Sequence, residues 1–173
     1  LWSVGCACGE EPYSLAILVT EVGGNVVREL SAAIYATDID HDSLSKAREA
    51  RYHAPSLANV PERWRQRYFV EDGEAYQVVP QIRRLVFFKG CNILSPVPFN
   101  RIDLVVCRNV LIYMTEALQE RVLVSLSEAI NPGGYLVLGK VEGLTGAARD
   151  LFEVADIAER IYRKPGGLRS RQA

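Results

Sequence analysis

Four short apolar runs, LWSVG (1–5), AAIYAT (32–37), IDLVVC (102–107) and YLVLG (135–139), recur along the chain with helix-type patterns between them. Runs of this length, rich in Val, Ile, Leu and aromatic residues, read as strands buried on both faces, the kind that parallel sheets use. After the first run, Pro12 opens a stripe of Leu15, Leu18, Val19 and Val22 at helical spacing. After the second, Asp40 or Asp42 is placed to cap a helix running through Arg51. After the third, Thr115 caps a helix carrying Leu118, Val122, Leu126 and Ile130, and NPGG (131–134) stops it. Strands alternating with helices predict an α/β fold, a doubly wound, mostly parallel sheet with right-handed crossovers. LFEVA and RIYRK near the C-terminus add an antiparallel edge hairpin. In the middle, PERWRQRYF (61–69) predicts a short helix. The segment 71–89, with a Gly73 turn and the stretches YQVVP and RLVFF, predicts a hairpin-like excursion.

At 173 residues, 49% hydrophobic and 24% charged, the chain has the make-up of one globular domain with a single core. Net charge is −1 and the basic residues are spread out, apart from Arg63, Arg65 and Arg67, which argues against a nucleic-acid partner. No apolar stretch approaches the ~20 residues of a membrane span, and the start lacks a signal-peptide layout, so no membrane insertion and a cytoplasmic location are expected. The chain has no initiator Met and enters a strand at once, as a fragment would, and residues 165–173 read as a flexible tail. Cys6, Cys8, Cys91 and Cys107 form no Cys-x-x-Cys pair, so they are expected to be buried thiols with no metal. His41 and His53, among polar neighbours, are assigned to the surface.

In sheets of this type a ligand lies beyond the carboxyl ends of the strands. The first such end is GCACGEEPYS (5–14), a turn containing Gly5 and Gly9 that opens a helix. Glycine turns before helices usually receive phosphate, but Glu10 and Glu11 would repel it. Asp38 follows the second strand, where a nucleoside-binding fold places a carboxylate on the ribose hydroxyls; helix capping is its alternative role. KGCNIL places Asn92 after the apolar run RLVFF, with an amide able to read an adenine edge or simply to shape a turn. CRNVLIYM places Arg108 and Asn109 at a strand tip, followed by Tyr113. A nucleoside site that refuses phosphate suits S-adenosylmethionine, which carries adenine, ribose, a sulfonium and an amino-acid end. Glu11 either pairs with that cofactor's ammonium or acts on the helix dipole.

GEEPYS (9–14), ATDID (36–40), CNIL (91–94) and CRNVLIYM (107–114), in this order and spacing, resemble the CheR-type chemotaxis receptor methyltransferases over nearly the whole chain. The resemblance implies a class I, Rossmann-like catalytic domain. It also implies transfer of the methyl of S-adenosylmethionine to glutamates on the cytoplasmic helices of methyl-accepting chemotaxis receptors, leaving S-adenosylhomocysteine and a glutamate methyl ester. Carried over by motif, Gly5, Gly9, Glu11 and Asp38 contact the cofactor, Asn92 and Ile93 take its adenine, and Arg108 with Asn109 stands near the methyl donor. Arg108 and Tyr113 are the candidate catalytic residues. The family also implies a helical domain upstream. The sequence departs from it at GKVEG, where Lys140 and Val141 replace the His and Ser of Gly-His-Ser-Glu, and at Glu71, where receptor-tail binding would call for a base.

A glutamate nucleophile has a pKa near ~4.3 and is already ionised at neutral pH, so a chain with two histidines suffices for the chemistry. Positioning in line and removal of water would carry catalysis. Replacing Asp38 is expected to weaken cofactor binding with the fold unchanged. The alternative is a degenerate, non-catalytic cofactor-binding module of a larger signalling protein. A nicotinamide enzyme is the weakest option, because residues 5–10 lack Gly-x-Gly-x-x-Gly.

Overall fold

The structure, a computed structural model, describes residues 1–30 and 32–166. In chain order the elements are β1 (Trp2–Val4), α1 (Glu10–Leu30), β2 (Ile34–Asp38), α2 (His41–Glu49), β3 (Arg51–His53), α3 (Glu62–Tyr68), β4 (Phe69–Asp72), β5 (Ala75–Val78) and α4 (Pro80–Arg83). There follow β6 (Val86–Gly90), β7 (Ile102–Cys107), α5 (Glu116–Ala129), β8 (Ile130–Leu138), α6 (Ala148–Leu151), β9 (Glu153–Asp156) and β10 (Ile161–Arg163), with 3₁₀ turns at Ala54–Leu57 and Leu111–Tyr113. The chain forms two compact units, one of Leu1–Gly5 with Cys91 onward and one of Cys6–Gly90.

In the first unit, β1 and β8 pair in parallel with β7, with Val4 opposite Cys107 and Cys107 opposite Leu138. β10 then pairs antiparallel with β8 and with β9, the edge hairpin expected from LFEVA and RIYRK. Trp2, Val105, Leu123, Leu126 and Leu136 are fully buried, and Trp2 meets the edge of Phe99 at 5.2 Å. Thr115 occupies the N-cap of α5 with extended backbone, but its hydroxyl makes no cap bond, so helix entry rests on the main chain. α5 ends at Ala129, one residue before the expected Ile130, and NPGG is not a free turn. β8 already begins at Ile130, and the β7 pairing slips between Ile102 and Leu104 to absorb the glycines. Lys164 Nζ closes this end by donating to the carbonyls of Ser127 (2.6 Å) and Ile130 (2.8 Å).

In the second unit, β2 and β6 pair in parallel from Ile34 opposite Val86 to Asp38 opposite Gly90. α1 starts at Glu10, two residues before Pro12, and breaks at Gly24, where φ is 49°. Its buried face is Tyr13, Ala16 and Ile17, whereas Leu18 and Val22 of the expected stripe are 43% and 88% exposed. Tyr13 sets that phase, since its ring sits 5.7 Å from Phe88 and 6.2 Å from Tyr52 in edge contacts. Asp40 is the N-cap of α2, and the helix ends at a left-handed Ala50, so Arg51 starts a strand instead of ending the helix.

The hairpin around Gly73 joins β4 to β5, and β3 completes a three-stranded antiparallel sheet in the order β3-β5-β4. Tyr76–Val78 of YQVVP lie in that sheet, while Pro80 opens α4; RLVFF does not pair with it, and its Val86–Phe88 belong to β6. A run apolar at consecutive positions suits a parallel strand covered on both faces better than a surface hairpin. None of the four cysteines is in a disulfide; Cys6 and Cys107 are buried, while Cys8 and Cys91 are only half-buried. His41 and His53 are exposed. Residues 167–173 of the expected tail lie outside the described residues. No helix among the described residues is long and apolar enough to cross a membrane. Parallel pairs linked through helices, with an antiparallel edge, make the fold α/β.

Candidate functional site

The turn between β1 and α1 is held by hydrogen bonds that its short residues leave room for. Cys6 N donates to the Thr37 carbonyl (3.0 Å), Gly9 N to that of Cys6 (2.9 Å), and the Tyr52 hydroxyl to that of Cys8 (2.9 Å). Gly9 has φ 93°, and a Cβ there would stand 2.9 Å from Tyr52 Oη and 3.0 Å from Ala47 Cβ. Gly5 has φ 66°, and its Cβ would meet Val110 Cγ2 at 2.5 Å. At both positions protein atoms fill the side-chain space, so packing and backbone sign already require glycine.

Asp38 ends β2 and faces this turn. Its Oδ2 accepts from Ala7 N (2.8 Å) and its Oδ1 from Asp40 N (2.9 Å). Each carboxylate oxygen has two lone pairs, so Asp38 keeps one on each for a ligand. Capping of α2 belongs to Asp40, which accepts from Asp42 N (3.0 Å) and the Ser43 hydroxyl (2.6 Å), and these bonds hold its carboxyl below the usual range. Glu10 is exposed and Glu11 half-buried in the first turn of α1, where acid complements the helix dipole. Burial, then the nearby Asp38 carboxylate, pushes the Cys6 thiol up to about 12, so it stays neutral and is no nucleophile.

The Cys91-onward unit carries the other candidates. Asn92 is exposed, and its Oδ1 accepts from Leu94 N (3.0 Å), which makes it a turn residue and leaves its amide NH₂ for a ligand; Ile93 beside it is half-buried. Beyond β7, Arg108 and Asn109 are exposed, with Asn109 at φ 60°. Tyr113 ends the 3₁₀ turn and is 83% exposed.

One residue beneath this tip escaped the sequence reading. Glu142 is 5% exposed, and its carboxylate accepts from Gly139 N (2.7 Å), Leu111 N (2.8 Å), Asn109 N (2.9 Å) and Ile112 N (3.3 Å). A single anion therefore fixes the end of β7, the 3₁₀ turn and the end of β8, and holds Asn109 in its left-handed conformation. Gly139 is required there, since a Cβ would stand 2.6 Å from Glu142 Oε2. The available signal was GKVEG itself, which keeps the Glu of the family string. Lys140 leans away, bridging Glu159 at 2.6 Å and donating to the Ala158 carbonyl at 3.1 Å, and Val141 is 78% exposed.

Gly9, Glu11 and Asp38 thus share the Cys6–Gly90 unit, with Asp38 bonded directly to the glycine turn. Gly5, Asn92, Ile93, Arg108, Asn109 and Tyr113 share the other, where Asn109 and the turn leading to Tyr113 are gathered by Glu142. Among the described residues no group of His, Cys, Asp and Glu could hold a metal ion.

Residues 1–161 match the family model described as CheR methyltransferase, SAM binding domain. A chemotaxis protein methyltransferase of Vibrio cholerae is 37% identical over 158 residues, 89% of this chain and 57% of that protein. A probable chemotaxis protein methyltransferase of Rhizobium etli is 31% identical, over 96% of this chain and 63% of its own length. An uncharacterized 104.1 kDa protein of Rhodobacter capsulatus is 37% identical over 96% of the chain, which spans only 18% of that protein. The chain therefore spans less than two thirds of each of these relatives.

Proposed function

The chain belongs to the CheR methyltransferase family, as its S-adenosylmethionine-binding domain, and from that premise we propose that it methylates glutamate side chains on the cytoplasmic helices of chemotaxis receptors, giving γ-methyl esters. The observation that carries the reading is Asp38, an ionisable group tied to the glycine turn with one lone pair per oxygen still free. Vicinal ribose hydroxyls match that acceptor pair, and the two acids at the start of α1 suit a cofactor that is cationic and carries no phosphate.

Gly5 and Gly9 hold the turn close to the ligand, Glu11 balances its positive charge, and Asn92 with Ile93 receives the adenine. Asn109 is preset by Glu142 next to the methyl donor. S-adenosylmethionine supplies an electrophilic methyl group on sulfur. Arg108 orients the acceptor carboxylate through its paired N–H donors, and Tyr113 closes the reacting centre against water. No general base is needed, because the acceptor is ionised at neutral pH.

The test is transfer of labelled methyl from S-adenosylmethionine to receptor signalling fragments, with the chain alone and fused behind the helical domain of a family member. Label that is incorporated and then released by mild alkali identifies a carboxyl ester. Binding of S-adenosylhomocysteine without transfer in either form supports a second reading, a non-catalytic module of a larger signalling protein. Lys140 and Val141, in place of the family's His and Ser, are the observation in its favour. No binding of S-adenosylhomocysteine overturns both.

A further inference from the structure

Away from the strand tips, the Cys6–Gly90 unit has a concavity of about 330 Å³ in which Arg48, Arg83 and Arg84 surround Tyr13, Pro80 and Phe88. Arg48 comes from the end of α2, Arg83 from the end of α4, and Arg84 from the residue after it. Each guanidinium is pinned at one edge by main chain. Arg48 Nη2 donates to the Phe88 carbonyl (3.2 Å), Arg83 Nη2 to that of Arg48 (3.3 Å), and Arg84 Nε to that of Pro80 (3.3 Å). A guanidinium has five N–H donors, so most remain available on all three. Among the described residues no acidic side chain lines the concavity, and none of the three arginines has a carboxylate at ion-pair distance. The ion pairs Arg51–Asp72, Arg65–Glu62, Arg67–Glu21 and Lys140–Glu159 lie elsewhere.

Three like charges held around one hollow repel one another and are relieved by a multiply charged anion. A phosphate matches them better than a carboxylate does, because it carries close to two charges and three equivalent oxygens for guanidinium forks. The ring of Phe88, with Tyr13 and Pro80, adds an apolar wall on which an organic body can rest. We propose that this concavity binds the phosphate group of a small phosphorylated ligand. The site lies outside the proposed reaction, whose cofactor has no phosphate.

The test is calorimetric titration of the chain with inorganic phosphate and with phenyl phosphate, a monoester lacking any nucleoside, at low salt. Saturable binding is expected. It should weaken at least about tenfold in Arg83→Gln/Arg84→Gln and by less than about twofold in Lys46→Gln/Arg63→Gln, which removes the same charge elsewhere. Arg48→Lys keeps the charge and loses the fork; it should weaken binding by about threefold or more, and decides the matter if the double variant does not fold. Tighter binding of phenyl phosphate identifies a phosphate ester as the ligand, and equal affinity identifies free phosphate. S-adenosylhomocysteine should not compete and should bind the variants as it binds the parent chain. Absence of saturation, equal weakening in the control pair, or competition by S-adenosylhomocysteine would overturn the proposal.

Discussion

Glu142→Gln tests how the β7 tip is held. The carboxylate accepts four backbone N–H bonds, from Gly139, Asn109, Leu111 and Ile112. A glutamine keeps the shape but replaces one oxygen with an NH₂ that faces donors. Either the Gly139 and Asn109 pair, now on Oε2, or the Leu111 and Ile112 pair, now on Oε1, loses its acceptor. A buried donor without a partner costs about 1–3 kcal/mol, and water can reach the less buried member of each pair, so the loss should total about 2–4 kcal/mol. For a chain of this size that lowers Tm by roughly 4–16 °C. Calorimetric unfolding of the parent chain, Glu142→Gln and the exposed control Glu128→Gln reads it directly. Hydrogen exchange should show the amides of Asn109, Leu111, Ile112 and Gly139 protected in the parent, and in Glu142→Gln one pair, Gly139 with Asn109 or Leu111 with Ile112, exchanging faster than the other. A melting point unmoved from the parent's, or rapid exchange of those amides in the parent, would refute the account.

Asp38→Asn should weaken S-adenosylhomocysteine binding by about 10–100-fold, the worth of one or two hydrogen bonds to a charged acceptor. With the fold kept, it should also cost about 1–2 kcal/mol in thermal unfolding, because Asp38 holds Ala7 N and Asp40 N; unchanged affinity would remove the ribose role. Burial raises Cys6 from an ordinary value of 9.0 to about 12, so above pH 9 the folded chain keeps a proton that the unfolded chain has released. The contribution of Cys6 to stability should therefore be constant below that pH and be lost as pH rises toward 12, so stability should fall less steeply there in Cys6→Ala; equal slopes in urea unfolding would contradict the assignment. Gly9→Ala places a Cβ 2.9 Å from Tyr52 Oη at φ 93°, and should cost about 2–4 kcal/mol of stability. An undiminished Tm would show that the turn can rearrange.

The parallel strands were legible because IDLVVC and YLVLG are apolar at consecutive positions, a pattern that few other environments accept. RLVFF carried the same signal and was misplaced, since the nearby Gly73 turn offered a local partner while its true partner, β2, lies about fifty residues back in the chain. The buried face of α1 was misphased because an aliphatic repeat at Leu18 and Val22 competes with a single aromatic, Tyr13, whose neighbours Tyr52 and Phe88 come from distant segments. Asp38 and Arg108 stand at strand ends, where residue type alone marks them. Glu142 could not be found in that way, because all its partners are backbone amides, three of them about thirty residues distant, and an N–H has no letter in a sequence.

The three-stranded sheet of the Cys6–Gly90 unit ends in a hairpin tip whose residues 71–74 are all exposed. The side-chain space at Gly73 meets nothing nearer than Arg51 Nη2 at 3.8 Å. Extra chain inserted there would lengthen a surface turn without entering any core, at an entropic cost that grows only slowly with length. That tip is accordingly the place to graft a fluorophore-bearing peptide or an affinity handle that reports on ligands of the same unit.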